Sequence, residues 1–303
     1  MVVDQGPGLE KWKPKNYTNV FYGPSTLRTG IEKSRNLMTV RLAQAVGIEK
    51  TVQYAKKFGI SDNLMPVLSM SLGSGETTLL RLTAAYAMLV NGGKKITPNM
   101  IDRIQDRTGK TIYQHDTRPC PNCQGADATS AEVPQLPDPR EQIQDPISAY
   151  QMVNIMTGVV ERGTGRIAQA VKRTLAGKSG TSNDNFDTWF IGFSPDLVVG
   201  VFVGFDTPQT LGPRDTGSVV AAPIFRDFMM EALKDRPDIP FRIPEGVRMV
   251  RVDAKTGKPA KVGTKDAIWE AFRKETDIHA QTPVIGQDVV MKPEEEPDMG
   301  GLY

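Results

Sequence analysis

The sequence predicts an α+β fold in which a helical part packs against an antiparallel β-sheet. Segments with helical periodicity fill the first part of the chain and return at residues 149–163. Three strand-like segments then follow in quick succession, at 173–182, 187–196 and 197–206, with only short turns between them. This spacing predicts an antiparallel meander, and an amphipathic helix at 221–235 is able to cover one face of it.

The helical part divides into several predicted elements. Residues 24–47 are expected to form two helices with a break at Ser-Arg-Asn, because apolar residues recur at about every third position after the break and stop at Gly47. A further helix at 50–58 closes at Gly59, and a strongly apolar helix at 77–93 ends in Asn-Gly-Gly. We therefore expect the first third of the chain to be helical and buried.

The remaining segments set the expected domain boundaries. Turn signals predict a small hairpin at 96–113 and a second hairpin around 253–259. Residues 114–146 are rich in Pro, Asp and Gln and poor in apolar residues, which predicts an exposed insertion. We expect one domain over 1–275 and a polar, disordered tail over 276–303.

Charge and hydropathy exclude some classes of partner. The 37 Lys and Arg residues nearly balance 35 Asp and Glu residues, and they form no basic block, so nucleic acid is not an expected partner. No stretch approaches the roughly 20 apolar residues that span a bilayer, and no secretion signal is apparent at the beginning of the sequence.

The two cysteines, Cys120 and Cys123, form a single Cys-x-x-Cys in a Pro- and Gly-rich loop. The spacing allows a disulfide, free thiols or part of a metal site, for which His115 and His279 are the available histidines. A redox pair of the thioredoxin type is expected between a strand and a helix, which is not the predicted context. None of these interpretations makes the pair an active site.

Two short motifs concentrate hydroxyl, amide and amine groups. Ser34-Arg35-Asn36 lies at the predicted break between two helices, and Lys178-Ser179-Gly180 lies in the first strand of the meander. Each triplet alone is a weak signal, and Ser34 and Asn36 are also residue types that favour helix caps. Their order and flanking segments carry the inference.

Together these segments resemble the transpeptidase domain of class A penicillin-binding proteins. The two triplets match the Ser-x-Asn and Lys-Ser/Thr-Gly elements of that family in the family's order. The resemblance runs from about residue 6 to residue 275, and it includes the segments WKPKNY, TLRTGIEKSRN, SLGSGETT, MTGVVERGTG, AGKSGTSND and DTWFIGFSPDLVVGVFVGFD. It implies a β-lactamase/D,D-transpeptidase-like fold with a helical subdomain and an antiparallel sheet.

The resemblance implies a catalytic role for three residues. Ser34 would relay a proton, and the Asn36 amide would hold a substrate carbonyl. Lys178 would supply positive charge that orients Ser34 and attracts the terminal carboxylate of the substrate. Acyl transfer by a serine needs groups of these kinds, because a proton must leave the hydroxyl and reach the leaving amine.

Four further residues would bind the substrate. Ser179 and Thr181 would add hydroxyl donors to the carboxylate, and the Thr181 backbone N–H would form half of the oxyanion hole. Gly180 would leave room for a peptide along the edge of the strand. Thr164 would lie in the loop that rims the cleft, although Thr164 and Gly165 also suit a simple helix terminator.

The family's first element, Ser-x-x-Lys, is absent, because no serine of the sequence is followed by a lysine three residues later. We expect the sequence to begin just after that element, so that the nucleophile, a membrane anchor and a glycosyltransferase domain belong to a preceding part. The chain alone is then expected to be inactive. Its apolar strand at 197–206 would also expose an unpaired edge.

The resemblance implies peptidoglycan cross-linking on the periplasmic face of the inner membrane. Stem peptides and β-lactams are the expected ligands, the membrane is reached only through the missing anchor, and no cofactor or metal is required. Two alternatives remain open: a non-catalytic module that binds muropeptide or a partner protein, and a metal or redox protein centred on Cys120 and Cys123.

Overall fold

The structure is a computed structural model, and it describes residues 2, 3, 8, 11–119, 136–280, 284 and 285. Six α-helices lie in this part of the chain: α1 Leu27–Glu32, α2 Asn36–Val46, α3 Ile48–Lys57, α4 Leu79–Val90, α5 Pro146–Glu161 and α6 Ala221–Ala232. Seven strands accompany them: β1 Arg103–Gln105, β2 Thr111–Gln114, β3 Ala176–Thr181, β4 Thr188–Phe193, β5 Val198–Val203, β6 Val247–Asp253 and β7 Ala267–Arg273. Short 3-10 helices cover Leu68–Leu72, Arg166–Val171 and Asn183–Asn185.

The predicted meander is confirmed. Strands β3, β4 and β5 form an antiparallel sheet in that order, and its register pairs Lys178 with Ile191 and Gly180 with Trp189. Within the described residues, β3 and β5 are the two edges of this sheet. Both edges therefore offer backbone groups that no other strand of the described chain uses.

Successive residues of a strand point to opposite faces, and this alternation separates two cores. Phe190 packs against Phe225 of α6 with ring centroids 5.0 Å apart. Phe193 lies on the opposite face, in a cluster with Val153 and Met156 of α5. The prediction that an amphipathic helix covers one face of the sheet is confirmed by α6.

The predicted break between two helices is confirmed at the Ser-Arg-Asn triplet. Helix α1 starts at the cap residue Thr26, whose hydroxyl accepts the Thr29 N–H at 3.2 Å, and it ends at Glu32. Helix α2 begins at Asn36, and Gly47 terminates it with a φ of 96°. The triplet thus lies in a tight connection between two helices.

The expectation that the first third is buried is wrong for α3. This helix has no buried residue, since lysines and polar residues occupy most of its length. Helix α4 is only partly buried as well: Ala84, Ala85 and Met88 belong to the core, whereas Leu80 is 55% exposed. Apolar composition predicted the helix α4 but not which of its faces is covered.

The predicted exposed insertion at 114–146 is wrong at its C-terminal end. The Lys95 N–H donates to the Glu141 carbonyl at 2.8 Å, and the Ile143 side chain is 2% exposed. Helix α5 then starts at Pro146 behind the cap Asp145, three residues before the predicted start. The Asp-Pro pair is a helix-start signal that the polar composition of the segment concealed.

Both predicted hairpins are present, and the second is short. Strands β1 and β2 pair as predicted, and every residue of both is exposed. Residues 253–259 form a tight turn that is closed by an antiparallel bridge from Val252 to Pro259, and the Ala260 N–H donates to the Arg251 carbonyl at 2.9 Å. Strand β6 in addition pairs along its whole length with β7, which the sequence did not predict.

None of the helices in the described part of the chain has both the length and the apolarity that crossing a bilayer needs. The predicted tail at 276–303 lies mostly outside the described residues.

Candidate active site

Lys178 of β3 faces the connection between α1 and α2. Its ammonium donates to the Ser34 hydroxyl at 2.7 Å and to the Ser179 carbonyl at 2.8 Å. Lys178 and Ser34 are 144 residues apart in sequence, so the fold joins the two motifs directly. A lysine and a serine hydroxyl therefore share one hydrogen bond at the edge of the sheet.

The backbone conformation of Ser34 aims its hydroxyl at this lysine. Ser34 has a φ of 51°, in the left-handed region, and its N–H donates to the Ile31 carbonyl at 3.1 Å. The N-cap of α2 is Arg35, which makes no side-chain cap hydrogen bond. The alternative interpretation of Ser34 as a helix cap is therefore wrong.

Asn36 is the first residue of α2, so it is not a cap either. Its amide nitrogen donates to the Lys15 carbonyl at 2.9 Å. This bond uses one of the two hydrogens of the amide group, and no acceptor for the other is found among the described residues. Asn36 lies two residues after Ser34, at the same helix junction.

A second pair of hydroxyls lies beside the first. Thr164 Oγ1 and Ser179 Oγ are 2.7 Å apart, which joins the loop after α5 to β3. Gly165 lies against the buried ring of Phe190, where even a Cβ would come within 3.2 Å of ring carbons. Thr164 is thus held at the mouth of the site by the packing of its neighbour, and it does not simply end the helix.

Thr181 is the last residue of β3 and follows the Lys178, Ser179 and Gly180 triplet. Its hydroxyl accepts the Gly217 N–H at 3.0 Å, so its own hydrogen is available to another acceptor. A Cβ at Gly217 would overlap the backbone oxygens of Gly180 and Trp189. Only glycine allows this close approach, and the sequence contained no local signal that residue 217 contacts the strand.

Six of the seven residues predicted from the sequence lie in β3 or contact it directly, whereas the Asn36 side chain bonds the Lys15 carbonyl. Lys178 contacts Ser34 and Ser179, and Ser179 contacts Thr164. Gly180 and Thr181 continue the same strand, and Asn36 follows the helix junction. The arrangement offers hydroxyl and ammonium donors along a strand whose outer edge pairs with no other strand among the described residues.

Comparison with known proteins assigns the family. A family model described as the penicillin binding protein transpeptidase domain matches residues 2–230. The chain belongs to this family. The β6–β7 hairpin lies beyond the matched residues but contacts the matched part, since the Gln151 amide of α5 donates to the Ala271 carbonyl of β7.

Relatives agree with this assignment. The chain is 50% identical over 274 residues to penicillin-binding protein 1A of Rickettsia bellii, a match that covers 89% of the chain and 34% of that relative. It is 40% identical over 295 residues to penicillin-binding protein 1A of Pseudomonas aeruginosa, which covers 87% of the chain and 36% of that relative. The chain thus spans about a third of the length of the curated relatives it matches.

Solved structures agree on the fold. The crystal structure of penicillin-binding protein 1A from Haemophilus influenzae is 28% identical with a TM-score of 0.76, and the match covers 91% of this chain and 44% of that one. The PonA1 protein of Mycobacterium tuberculosis in complex with penicillin V has the same fold at 20% identity and a TM-score of 0.61, covering 88% of this chain and 66% of that one. The predicted transpeptidase-like α+β fold is therefore confirmed.

Cys120 and Cys123 lie outside the described residues. Among the residues that the structure does describe, no group of three or more His, Cys, Asp or Glu side chains could hold a metal ion.

Burial in the cleft lowers the pKa of Lys178 to about 8. The amine reacts with acetic anhydride only when it is deprotonated. We therefore expect the pH of half-maximal acetylation to lie near this value in the folded chain and near about 10.4 in the chain unfolded by urea. The unfolded chain binds more protons between these two values, so the stability contributed by this group rises with pH across that interval. Competitive labelling followed by mass spectrometry of the Lys178 peptide measures both midpoints. Equal midpoints in the two states would show that the cleft does not shield the amine.

Proposed function

We propose that this chain forms one wall of the active site of a D,D-transpeptidase that cross-links peptidoglycan. The observation that supports the proposal most directly is the 2.7 Å hydrogen bond from the Lys178 ammonium to the Ser34 hydroxyl. The adjacent Thr164 and Ser179 hydroxyls and the open edge of β3 add donors and a backbone surface for a peptide. Membership of the transpeptidase family supports the reaction type.

In the proposed reaction, a serine hydroxyl attacks the carbonyl carbon of the penultimate D-Ala of a stem peptide. An ester bond to the serine forms, and the amide bond to the terminal D-Ala breaks. The serine proton passes to the departing amine, and Ser34 is the proposed relay. An amine of a neighbouring strand then attacks the ester, forms the cross-linking amide and regenerates the serine.

The described side chains fit the binding part of this reaction. The Lys178 ammonium attracts the terminal carboxylate, and the Ser179 and Thr181 hydroxyls donate to it. The Thr181 N–H stabilises the oxyanion, and Asn36 holds a substrate carbonyl. Gly180 keeps β3 free of a side chain at the place where the peptide lies along the strand.

The proposal assigns the nucleophile to a serine outside this sequence, because no serine of the chain has the Ser-x-x-Lys spacing. The chain alone is then inactive, and β-lactams are ligands only of the assembled site. The proposed location is the periplasmic face of the inner membrane, where the peptidoglycan substrate is found.

Labelling with a fluorescent penicillin tests the proposal. The chain alone is compared with a fusion in which the part of the Rickettsia bellii relative that precedes the matched 274 residues is joined to this chain. We expect no covalent label on the chain alone and a label on the fusion. Lys178→Ala in the fusion is expected to slow labelling by at least about 100-fold, since the ammonium that orients the Ser34 proton relay is lost. Lys172→Asn, at an exposed left-handed position, is the matched control and should label normally.

Two outcomes would contradict the proposal. A serine adduct on the chain alone would contradict the assignment of the nucleophile. A folded fusion that takes no label, yet binds muropeptide reversibly, would favour a non-catalytic binding module.

A further inference from the structure

A row of buried charged side chains connects the C-terminal hairpin to the site. Arg28 of α1 is 2% exposed, Glu32 of the same helix is 6% exposed and Glu270 of β7 is 3% exposed. Both carboxylate oxygens of Glu270 accept from the Arg28 guanidinium at 2.5 Å. Arg28 also reaches Glu32 at 3.5 Å. Removing charged groups from water costs free energy, and only well-aligned ion pairs and hydrogen bonds offset that cost. The relative positions of these three side chains are therefore closely defined.

The hairpin is fixed on α5 by a line of polar contacts. The Gln151 amide donates to the Ala271 carbonyl at 2.9 Å, and Arg273 donates to the cap residue Asp145 at 2.5 Å. Arg28 in turn donates to the Asn154 carbonyl at 3.0 Å. These contacts join the hairpin and Arg28 to the cap and the middle of α5.

The same row continues into the loop that carries Thr164. Arg162 donates to the Glu32 carboxylate at 2.7 Å, and the Thr164 N–H donates to the Glu32 carbonyl at 3.1 Å. Lys33 donates to the Arg162 carbonyl. A Cβ at Gly163 would overlap the Glu32 carbonyl oxygen, so glycine is required for this approach.

Glu32 is therefore linked to both segments that carry the hydroxyls, the loop with Thr164 and the helix connection with Ser34. Its backbone carbonyl holds Thr164, and the chain reaches Ser34 two residues later. These are the hydroxyls that contact Ser179 and Lys178. A shift of the C-terminal end of α1 would move both contacts together.

We propose that Glu270 is a positioning residue that acts through Arg28 and Glu32 to hold the Ser34 and Thr164 hydroxyls against β3. Its carboxylate contacts Arg28, so its effect on the site passes through that side chain. The catalytic importance of this role rests on the proposed function, whereas the effect of Glu270 on the positions of Ser34 and Thr164 does not depend on any reaction. The β6–β7 hairpin, which lies beyond the 2–230 family match, thereby becomes part of the active-site framework.

The test follows the environment of the Lys178 amine in the full chain. Glu270→Gln leaves the shape of the side chain but removes its charge, and Glu270→Asp keeps the charge on a shorter stem. We expect Glu270→Gln to raise the midpoint of Lys178 modification by about one to two pH units, because displacement of Ser34 admits water to the amine. Glu270→Asp should restore part of the shift. Glu275→Gln, at an exposed position just after β7, is the control and should leave the midpoint unchanged.

A second variant covers the case in which Glu270→Gln fails to fold. Arg28→Met/Glu270→Met replaces the pair by apolar side chains, a change that buried ion pairs often tolerate. An unchanged midpoint in either folded variant would overturn the proposal, since a purely stabilising pair has no effect on Lys178. The readout needs no acyl transfer, so a fusion that takes no penicillin label would refute the transpeptidase assignment without refuting this positioning role.

Discussion

Arg28→Met is expected to lower the free energy of unfolding by about 3–5 kcal/mol, one of the two largest effects of a single substitution that we predict. Arg28 lies between the buried carboxylates of Glu270 and Glu32, and its removal leaves both without this cation. A buried charge that loses its partner carries the full desolvation penalty. Urea unfolding followed by circular dichroism measures the change.

The matched control is Arg81→Met. Arg81 forms an ion pair with Asp62 at the same 2.5 Å distance, but the two side chains are 42% and 60% exposed. Exposed pairs contribute about 0–1 kcal/mol, so this variant should unfold nearly as the parent does. Similar losses in the two variants would show that the Arg28 pair is solvated rather than buried.

Phe225→Ala is the second large effect, with an expected loss of about 3–5 kcal/mol. Phe225 is 0% exposed and packs on Phe190, and Gly192 lies so close that a Cβ there would overlap the ring. Truncation would leave a cavity between α6 and the sheet. Because Phe190 also supports Gly165, the loop that carries Thr164 should loosen as well.

Phe228→Ala is the control on the same helix, since Phe228 is 51% exposed. Its expected loss is below about 1 kcal/mol. Thermal unfolding compares the variants, and amide hydrogen exchange at residues 163–165 reports on the loop. Equal melting temperatures for both variants would contradict the assignment of Phe225 to the core.

Local signals in the sequence were sufficient for most elements of the fold. Alternation and short turns predicted β3, β4 and β5, and periodicity with glycine stops predicted α2 and α4. They failed where a segment's partner is distant. The burial of Ile143 depends on pairing with residues 93–95, which polar composition does not reveal.

The partner of β6 was missed for a related reason. Its turn sequence predicted a local hairpin, which the structure contains as a single bridge from Val252 to Pro259, whereas the full pairing with β7 follows a connection of residues 254–266. A turn signal reports where the chain bends, but strand pairing is decided by which segments bury their faces together.

By itself, the sequence determined the residue types of the site and the order of its motifs. The triplet at Ser34 and the triplet at Lys178 were both predicted as functional, and a hydrogen bond joins Lys178 to Ser34 at one strand edge. These signals are local, because each depends on a few neighbouring residues and on the periodicity around them.

Only the tertiary structure decided what surrounds and holds that site. The contact of Gly217 with Thr181 and the ion pair of Glu270 with Arg28, 242 residues apart, have no local signature. Such contacts arise when separate elements pack, and their strength depends on burial, which neighbouring residues in sequence do not specify. The hydroxyls and amine of the cleft could thus be named from the sequence, whereas the framework that aims them became visible only in three dimensions.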